Sequence, residues 1–114
     1  MEFSDVRHLK LSDALDSIPT PHGELFANLF RHGSVDVEIY APRINDLQQP
    51  HTRDELYIVA SGSGWFVNGD HRMQFSTGDL LFAAAGEVHK FVDFTSDFAV
   101  WVIFYGPEGG ERGK

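Results

Sequence analysis

Two histidines and one glutamate are the residues of this chain whose types and spacing best suit metal binding. His51 and Glu55 lie four residues apart in one segment, and His89 lies in another. Residues two apart on a β-strand point to the same face, so Gln49, His51, Arg53 and Glu55 could all face inward on a regular strand. Imidazole and carboxylate donors bind Fe, Mn, Ni, Zn or Cu without selecting among them. His51, Glu55 and His89 are therefore candidate ligands of a divalent metal ion if the fold brings them together, and Gln49 could be a weak fourth ligand or hold a bound water.

This ligand set has a chemistry of its own. Two imidazoles and one carboxylate on one face of an ion leave positions open for substrate or oxygen, as in non-haem Fe(II) oxygenases. One carboxylate cancels half of a divalent charge, so the open side would attract an anionic or enolisable oxygen. Tyr57 follows Glu55 by two residues and could donate a hydrogen bond, whereas Arg53 could orient the substrate. We therefore predict Tyr57 and Arg53 as catalytic residues.

An ion pair without metal is the alternative reading of the same residues. Arg53 lies two residues from both His51 and Glu55 and could neutralise the Glu55 carboxylate. A buried carboxylate is costly unless it is compensated, so either Arg53 or a cation must do this if Glu55 is buried. The remaining histidines lie in turns or near the N-terminus, and we expect them to be solvated: His8, His22, His32 and His71.

Short β-strands separated by turns must position these side chains. Residues 35–40, with the sequence VDVEIY, alternate apolar and polar residues, which is typical of a half-buried strand. Asn68-Gly69 is a hairpin signal, because both residues tolerate the positive φ of a type I′ turn. Residues 98–105 form an aromatic and β-branched run that predicts a closing strand. In all, about eight short strands at this spacing predict an all-β barrel or sandwich.

The chain of 114 residues fits one domain with three parts. We predict an N-terminal arm at 1–23, in which Ser12 caps a short helical turn that Pro19 ends. The barrel would occupy 24–105. The Gly-rich, charged segment 106–114 is predicted to be a flexible tail. Because the arm is too short to fold alone, we expect it to pack on the barrel or on a partner subunit.

Composition excludes several classes of function. The net charge is −8 and the nine Lys and Arg residues do not cluster, which argues against nucleic acid and anionic membranes as partners. The chain has no Cys, so neither disulfides nor thiolate ligands are available, and this suits a cytoplasmic protein. The N-terminus lacks the apolar segment of a signal peptide, and the apolar run at 98–105 is too short to cross a bilayer.

Two segments resemble the paired motifs of the cupin superfamily. The first motif contains His-x-His, then a Glu and a Gly, and the second contains two glycines followed by a His. The matching residues are His51, Glu55 and Gly62 in the first motif and Gly78, Gly86 and His89 in the second. Both motifs occur in the family's order, which is more specific than either motif alone.

Three positions depart from these motifs. Gln49 stands where the family usually has its first histidine, which is a metal-ligand position. Ala84 replaces the expected proline and Asp93 the expected asparagine, and both of these positions are structural. The resemblance therefore implies a divalent metal ion held by His51, Glu55 and His89, with three of the four ligand positions unchanged.

The resemblance implies a cupin jelly-roll β-barrel, also called a double-stranded β-helix, with a metal ion inside and a small molecule as ligand or substrate. Family members of this size include dioxygenases, sugar-phosphate isomerases and epimerases. We therefore expect a metal-binding protein that acts as a dioxygenase-like or isomerase-like enzyme. The alternative is a non-catalytic module that binds a sugar or a small carboxylate. Barrels of this family often pair through edge strands or exchanged N-terminal arms, so the resemblance implies a homodimer.

Overall fold

The computed structural model describes residues 7–46 and 50–111. Their regular elements are one short helix and eight strands: α1 (Leu11–Asp16), β1 (Phe26–His32), β2 (Val35–Tyr40), β3 (Asp54–Ser61), β4 (Ser63–Asn68), β5 (His71–Ser76), β6 (Leu80–Ala83), β7 (His89–Val92) and β8 (Ala99–Tyr105). The helix has six residues, and within the described ranges no helix is long and apolar enough to cross a membrane.

The strands form two antiparallel sheets with a shared core. The larger sheet has the order β1-β2-β8-β3-β6 and the smaller one has the order β5-β4-β7. This arrangement confirms the predicted all-β jelly-roll barrel. The core between the sheets is built largely from aromatic and β-branched side chains: Tyr57, Val59, Phe66, Phe75, Ala83, Phe91, Phe98, Val100 and Val102.

Strand β2 is partly buried on both faces, with Ile39 as its one fully buried residue. Ile39 is fully buried on the outer face, together with Leu29 of β1 and Ala14 of α1. The polar face of β2 looks into the barrel, where Glu38 and Tyr40 line a cavity. An alternating pattern marks two faces of a strand but does not state which one is inside.

The N-terminal segment packs on the barrel's own larger sheet. Helix α1 places Ala14 against Leu29 and Ile39, and neighbouring apolar side chains of the segment surround this contact. The predicted cap is wrong, because Ser12 is the second helical residue and Lys10 precedes the helix without a side-chain hydrogen bond. Apolar packing therefore holds this helix, which is too short to be stable alone.

The β4–β5 hairpin lies one residue further along than the Asn-Gly signal predicts. Asn68 pairs with His71, so Gly69 and Asp70 form the two-residue turn. Gly69 has a φ of 60°, and Asp70 is not among the residues with positive φ. A positive φ at the first turn residue alone fits a type II′ turn, in which glycine is preferred at that position.

The segment after β8 folds back onto the residues that lead into β3. Asp54 is buried, and its carboxylate accepts hydrogen bonds from the N–H groups of Glu111 (2.7 Å) and Ala85 (2.9 Å). The N–H of Gly109 donates to the carbonyl oxygen of Thr52 at 2.6 Å. Two backbone donors lower the pKa of Asp54. Asp54 thus connects the start of β3 with the turn at Ala85 and with the C-terminal segment. The mobility of the tail stays a prediction.

We expect Asp54→Asn to lower the free energy of unfolding by about 1.5–3 kcal/mol at pH 7, because the amide would present a donor to one of the two backbone N–H groups. A carboxyl whose pKa is lowered by folding stabilises the protein above its unfolded pKa of about 3.9. The difference between the variant and the wild type should therefore shrink as the pH falls below 4. Urea denaturation at several pH values measures it.

Glu108→Gln is the matched control, since Glu108 is an exposed carboxyl of the same C-terminal segment. It should behave like the wild type at every pH. Equal stabilities for Asp54→Asn and Glu108→Gln would show that the Asp54 hydrogen bonds add nothing to the folded state.

Candidate metal centre

The fold brings together the three residues that the sequence predicts as metal ligands. Glu55 is the second residue of β3, His89 opens β7, and His51 precedes β3 by three residues. One donor atom from each lies within 4.8 Å of the other two. Glu55 and His89 are buried, with 1% and 3% exposure, whereas His51 is half-buried. Among the described residues of the cluster, His51 is therefore the one that is accessible to solvent.

Glu55 is a buried carboxylate with histidines as its near neighbours. Its Oε1 lies 2.8 Å from Nε2 of His89 and 3.7 Å from Nε2 of His51. Within residues 7–46 and 50–111, neither carboxylate oxygen has a hydrogen bond of normal geometry, and Lys and Arg do not approach within 4.0 Å. Such a charge needs compensation from a proton or a cation.

The Nδ1 atom of His89, the ring nitrogen that does not face Glu55, fixes the orientation of the imidazole. Nδ1 lies 2.8 Å from the carbonyl oxygen of Glu87, an acceptor, so Nδ1 carries a proton. In the neutral ring, Nε2 then presents a lone pair to Oε1 of Glu55. Two such atoms at 2.8 Å repel each other unless a positive charge lies between or beside them. Burial alone would lower the pKa of His89. The adjacent Glu55, the Glu87 carbonyl and the charge of Asp46 outweigh this effect, so the pKa of His89 is raised overall.

Tyr57 places a hydroxyl group at the same point. Its ring is fully buried in the core, and its hydroxyl oxygen lies 2.9 Å from Nε2 of His89. Because Tyr57 follows Glu55 by two residues on a regular part of β3, both side chains face inward, as the sequence predicts. The cluster thus combines imidazole, carboxylate and phenol groups.

Arg53 does not join the cluster. It lies just before the start of β3, so the two-residue period does not apply to it. Its guanidinium group donates to the carbonyl oxygens of Gly106 (Nε, 3.0 Å) and Ser34. The expected inward orientation toward Glu55 is therefore wrong, and the ion pair that would replace a metal ion does not form. The predicted ligand Gln49 lies outside the described residues.

A cavity of about 530 Å³ leads from the cluster to the surface. Its walls are mostly apolar, and the few polar groups include two carboxylates. The lining residues are Leu25, Phe26, Glu38, Tyr40, Pro42, Asn45, His51, Glu55, Val102 and Phe104. This volume suits a small metabolite.

Glu38 is a cavity residue that belongs to neither sequence motif. Burial in the cavity raises its pKa to about 7, and the negative charges of Asp36 and Glu55 add to this, whereas Arg31 opposes it. Glu38 is half-buried, and in the described part of the chain it has neither a hydrogen bond nor an ion pair. The alternation of β2 could have identified Glu38 as a candidate, because one of the two faces of the strand had to line the interior.

Asp46 ties the cavity wall to the smaller sheet. Its carboxylate accepts hydrogen bonds from the hydroxyl of Tyr40 (2.5 Å) and the backbone N–H of Phe91 (2.7 Å). Phe91 belongs to β7, two residues after His89. The segment after β2 is thereby held beside the strand that carries one of the candidate ligands.

The donor set fits a divalent ion. Ligand atoms that sit about 2.1 Å from an ion in tetrahedral or octahedral geometry lie about 3.0–3.5 Å from each other. The distances from Oε1 of Glu55 to the two imidazole nitrogens, 2.8 and 3.7 Å, are close to this range. An ion would also satisfy the buried Glu55 oxygens that lack hydrogen bonds. His51, Glu55 and His89 could therefore hold one metal ion inside the barrel.

A jelly-roll barrel with a candidate ion site in its interior is the class that these features define. The sequence pattern of the Cupin domain family matches residues 37–105, which include every residue of the cluster. An uncharacterized protein of Streptomyces coelicolor is 31% identical over 98 residues, which cover 84% of this chain and 93% of that protein. The chain belongs to the cupin family.

Solved structures share the fold at low sequence identity. A cupin-2 domain protein from Shewanella frigidimarina superposes with a TM-score of 0.67 at 13% identity, over 86% of this chain and 94% of that one. KdgF from a Halomonas species gives 0.62 at 16% identity, over 73% and 80% of the two chains. A chain from a study of the DMSP lyases RdDddP and RnDddQII gives 0.60 at 21% identity, over 73% of this chain and 47% of that one.

The raised pKa of Glu38 predicts a pH-dependent cost to stability. A carboxyl whose pKa rises from 4.5 to about 7 on folding makes the folded state bind the proton more tightly. The free energy of unfolding should therefore fall as the pH rises from about 4.5 to 7. In metal-free protein, Glu38→Gln should remove this fall. The variant should gain about 1–2 kcal/mol over the wild type between pH 5 and pH 8, since partial solvation reduces the full linkage value.

Urea denaturation of EDTA-treated protein at pH 5, 6, 7 and 8 measures this gain. Glu108→Gln removes one exposed carboxylate and should track the wild type. A difference between Glu38→Gln and the wild type that does not change with pH would contradict the raised pKa.

Proposed function

We propose that this protein is a metal-dependent enzyme that acts on a small oxygen-bearing metabolite inside the barrel. One observation carries the proposal: Glu55 is buried, its oxygens lack hydrogen bonds in the described chain, and two imidazole nitrogens lie 2.8 and 3.7 Å away. In this proposal His51, Glu55 and His89 hold the ion. The ion would act as a Lewis acid that polarises a carbonyl or carboxylate oxygen of the substrate.

Tyr57 is proposed as the proton-transferring residue. Its hydroxyl lies at the cluster, 2.9 Å from Nε2 of His89, and the surrounding core keeps its ring in one place. A group fixed in this way can give a proton to a substrate oxygen, or take one from a neighbouring carbon, without the cost of ordering a mobile side chain. This arrangement favours isomerase-like chemistry by proton transfer.

A dioxygenase-like reaction is the second candidate. The observation that favours it is the ligand set itself, because two histidines and one carboxylate are the donors that non-haem iron oxygenases use. The predicted role of Arg53 is harder to support, since its guanidinium group is engaged with two backbone carbonyls away from the cluster. A non-catalytic module that binds a sugar or small carboxylate would show binding without turnover.

The proposal includes the setting of the protein. We propose a cytoplasmic homodimer without nucleic-acid or membrane partners. The absence of Cys agrees with a cytoplasmic location. The charge of −8 agrees with the lack of nucleic-acid and membrane partners. For the dimer, the support is an outer sheet face at β3 and β6 where Ile58, Leu80 and Phe82 are exposed beside an edge strand.

Elemental analysis tests the metal site. We expect the purified wild type to carry about one divalent ion per chain, and His51→Ala and His89→Ala each to reduce its metal affinity by about 10- to 100-fold or more. His71→Ala is the control, because His71 is exposed on β5 and away from the cluster. Metal content that is unchanged in the two cluster variants, or that is zero in wild type after incubation with metal, would contradict the site.

Proton transfer can be tested without knowing the natural substrate. Zinc-loaded protein is incubated in D₂O with 2-oxo acids of different chain lengths, and ¹H NMR follows the loss of protons beside the carbonyl. We expect exchange with the wild type, and a rate about 10²- to 10⁴-fold lower with Tyr57→Phe at equal zinc content, because the phenol supplies or accepts the proton.

If Tyr57→Phe exchanges protons at the wild-type rate, Tyr57 is not the residue that transfers the proton. Oxygen consumption by the iron-loaded protein, without any exchange, would favour the dioxygenase-like candidate. Tyr105→Phe is a suitable control, since Tyr105 follows the cavity-lining Phe104 and pairs with Asp54, so its side chain lies on the opposite face of the sheet from the cavity.

A further inference from the structure

Glu38 is a carboxylate in the cavity for which the described structure offers no partner. It pairs on β8 with Val102, which in turn pairs with Tyr57 on β3, so the three side chains form one row on the inner face of the sheet. Glu38 and the candidate metal centre line the same cavity. Two strand spacings separate the backbones of Glu38 and Tyr57, which is about 10 Å. The cavity therefore has a candidate ion at one wall and a separate anionic group at another.

The surroundings of Glu38 make its charge costly to the folded protein. Most of the cavity lining is apolar, including Leu25, Phe26 and Tyr40. The nearest charges are mostly negative: Asp36 and Glu55 repel the Glu38 carboxylate, and Arg31 attracts it from the side of Asp36. An apolar residue of similar size would avoid this cost, so packing gives no reason for a carboxylate here.

We propose that Glu38 is a specificity-determining residue that binds a hydrogen-bond donor of the substrate, a hydroxyl or an ammonium group. This inference rests on the proposed metal site, which would take an oxygen at the other end of the same molecule. The ligand class is then a short acid with a metal-binding carboxylate at one end, a donor group at the other and an apolar stretch between them. A half-buried carboxylate forms strong hydrogen bonds to such donors, and the apolar walls accommodate the middle of the ligand.

The test uses three acids that differ in one terminal group. In 4-hydroxybutyrate, 4-aminobutyrate and pentanoate, a hydroxyl, an ammonium and a methyl group occupy the same place. We measure their affinities for zinc-loaded wild type, Glu38→Gln, Glu38→Leu and the surface control Glu108→Gln by isothermal titration calorimetry, with zinc content determined for each protein.

We expect wild type and Glu108→Gln to bind at least one of the donor-bearing acids about tenfold or more tightly than pentanoate. Glu38→Leu should remove that preference for either donor. Glu38→Gln distinguishes the donors, because its amide oxygen still accepts a hydrogen bond from a hydroxyl but no longer pairs with a positive charge. Loss of preference in Glu38→Gln assigns the ammonium group, and its retention assigns the hydroxyl group.

Two results would overturn the inference while leaving the metal site intact: full zinc content with equal affinity of wild type for all three acids, or a preference that survives Glu38→Leu. Absence of zinc from the wild type would overturn the proposed function and this inference together. If Glu38→Leu does not fold, Glu38→Ala takes its place in the same comparison, because alanine also lacks a hydrogen-bond acceptor.

Discussion

The burial of the Glu55 carboxylate between two imidazoles is the constraint on which the rest of this structure depends. A charge in that position cannot be left without compensation, and the surrounding chain provides it with neither Lys nor Arg among the described residues. The flanking elements instead fix the imidazoles beside it. The Glu87 carbonyl orients His89, and the N–H of Gly86 donates to the carbonyl oxygen of His51 at 2.7 Å.

The backbone geometry of this fold explains why glycines stand at two of the motif positions. Gly86 adopts a φ of 81°, which side chains rarely tolerate, in the turn that binds the backbone of His51. Gly62 lies so close to the residue that precedes β8 that an added Cβ would be 2.7 Å from the Cα of Phe98. Asp93 stands at the asparagine position and has a φ of 51°, a conformation that Asn and Asp adopt more readily than other residues. The departure at Asp93 therefore keeps the backbone requirement.

Much of the fold and the central site could be predicted from the sequence, because both depend on short-range patterns. Strand spacing and turn residues gave the barrel, and the motif spacing gave His51, Glu55 and His89. Arg53 was misplaced because a two-residue period holds only inside a strand, and β3 begins one residue later. Glu38 was overlooked because alternation is symmetrical with respect to inside and outside, and only the pairing of β2 with β8 resolves that symmetry.

The position of β8 has a consequence for how the protein is made. This strand lies between β2 and β3 in the larger sheet, although it follows them by some forty residues or more in the chain. During synthesis, the acidic side chains on the inner faces of β2 and β3 consequently stay hydrated until β8 is released and inserts between those strands. The barrel closes late, through contacts that are distant in sequence and slow to form. The interior that contains the candidate metal centre is therefore complete only after β8 has been synthesised.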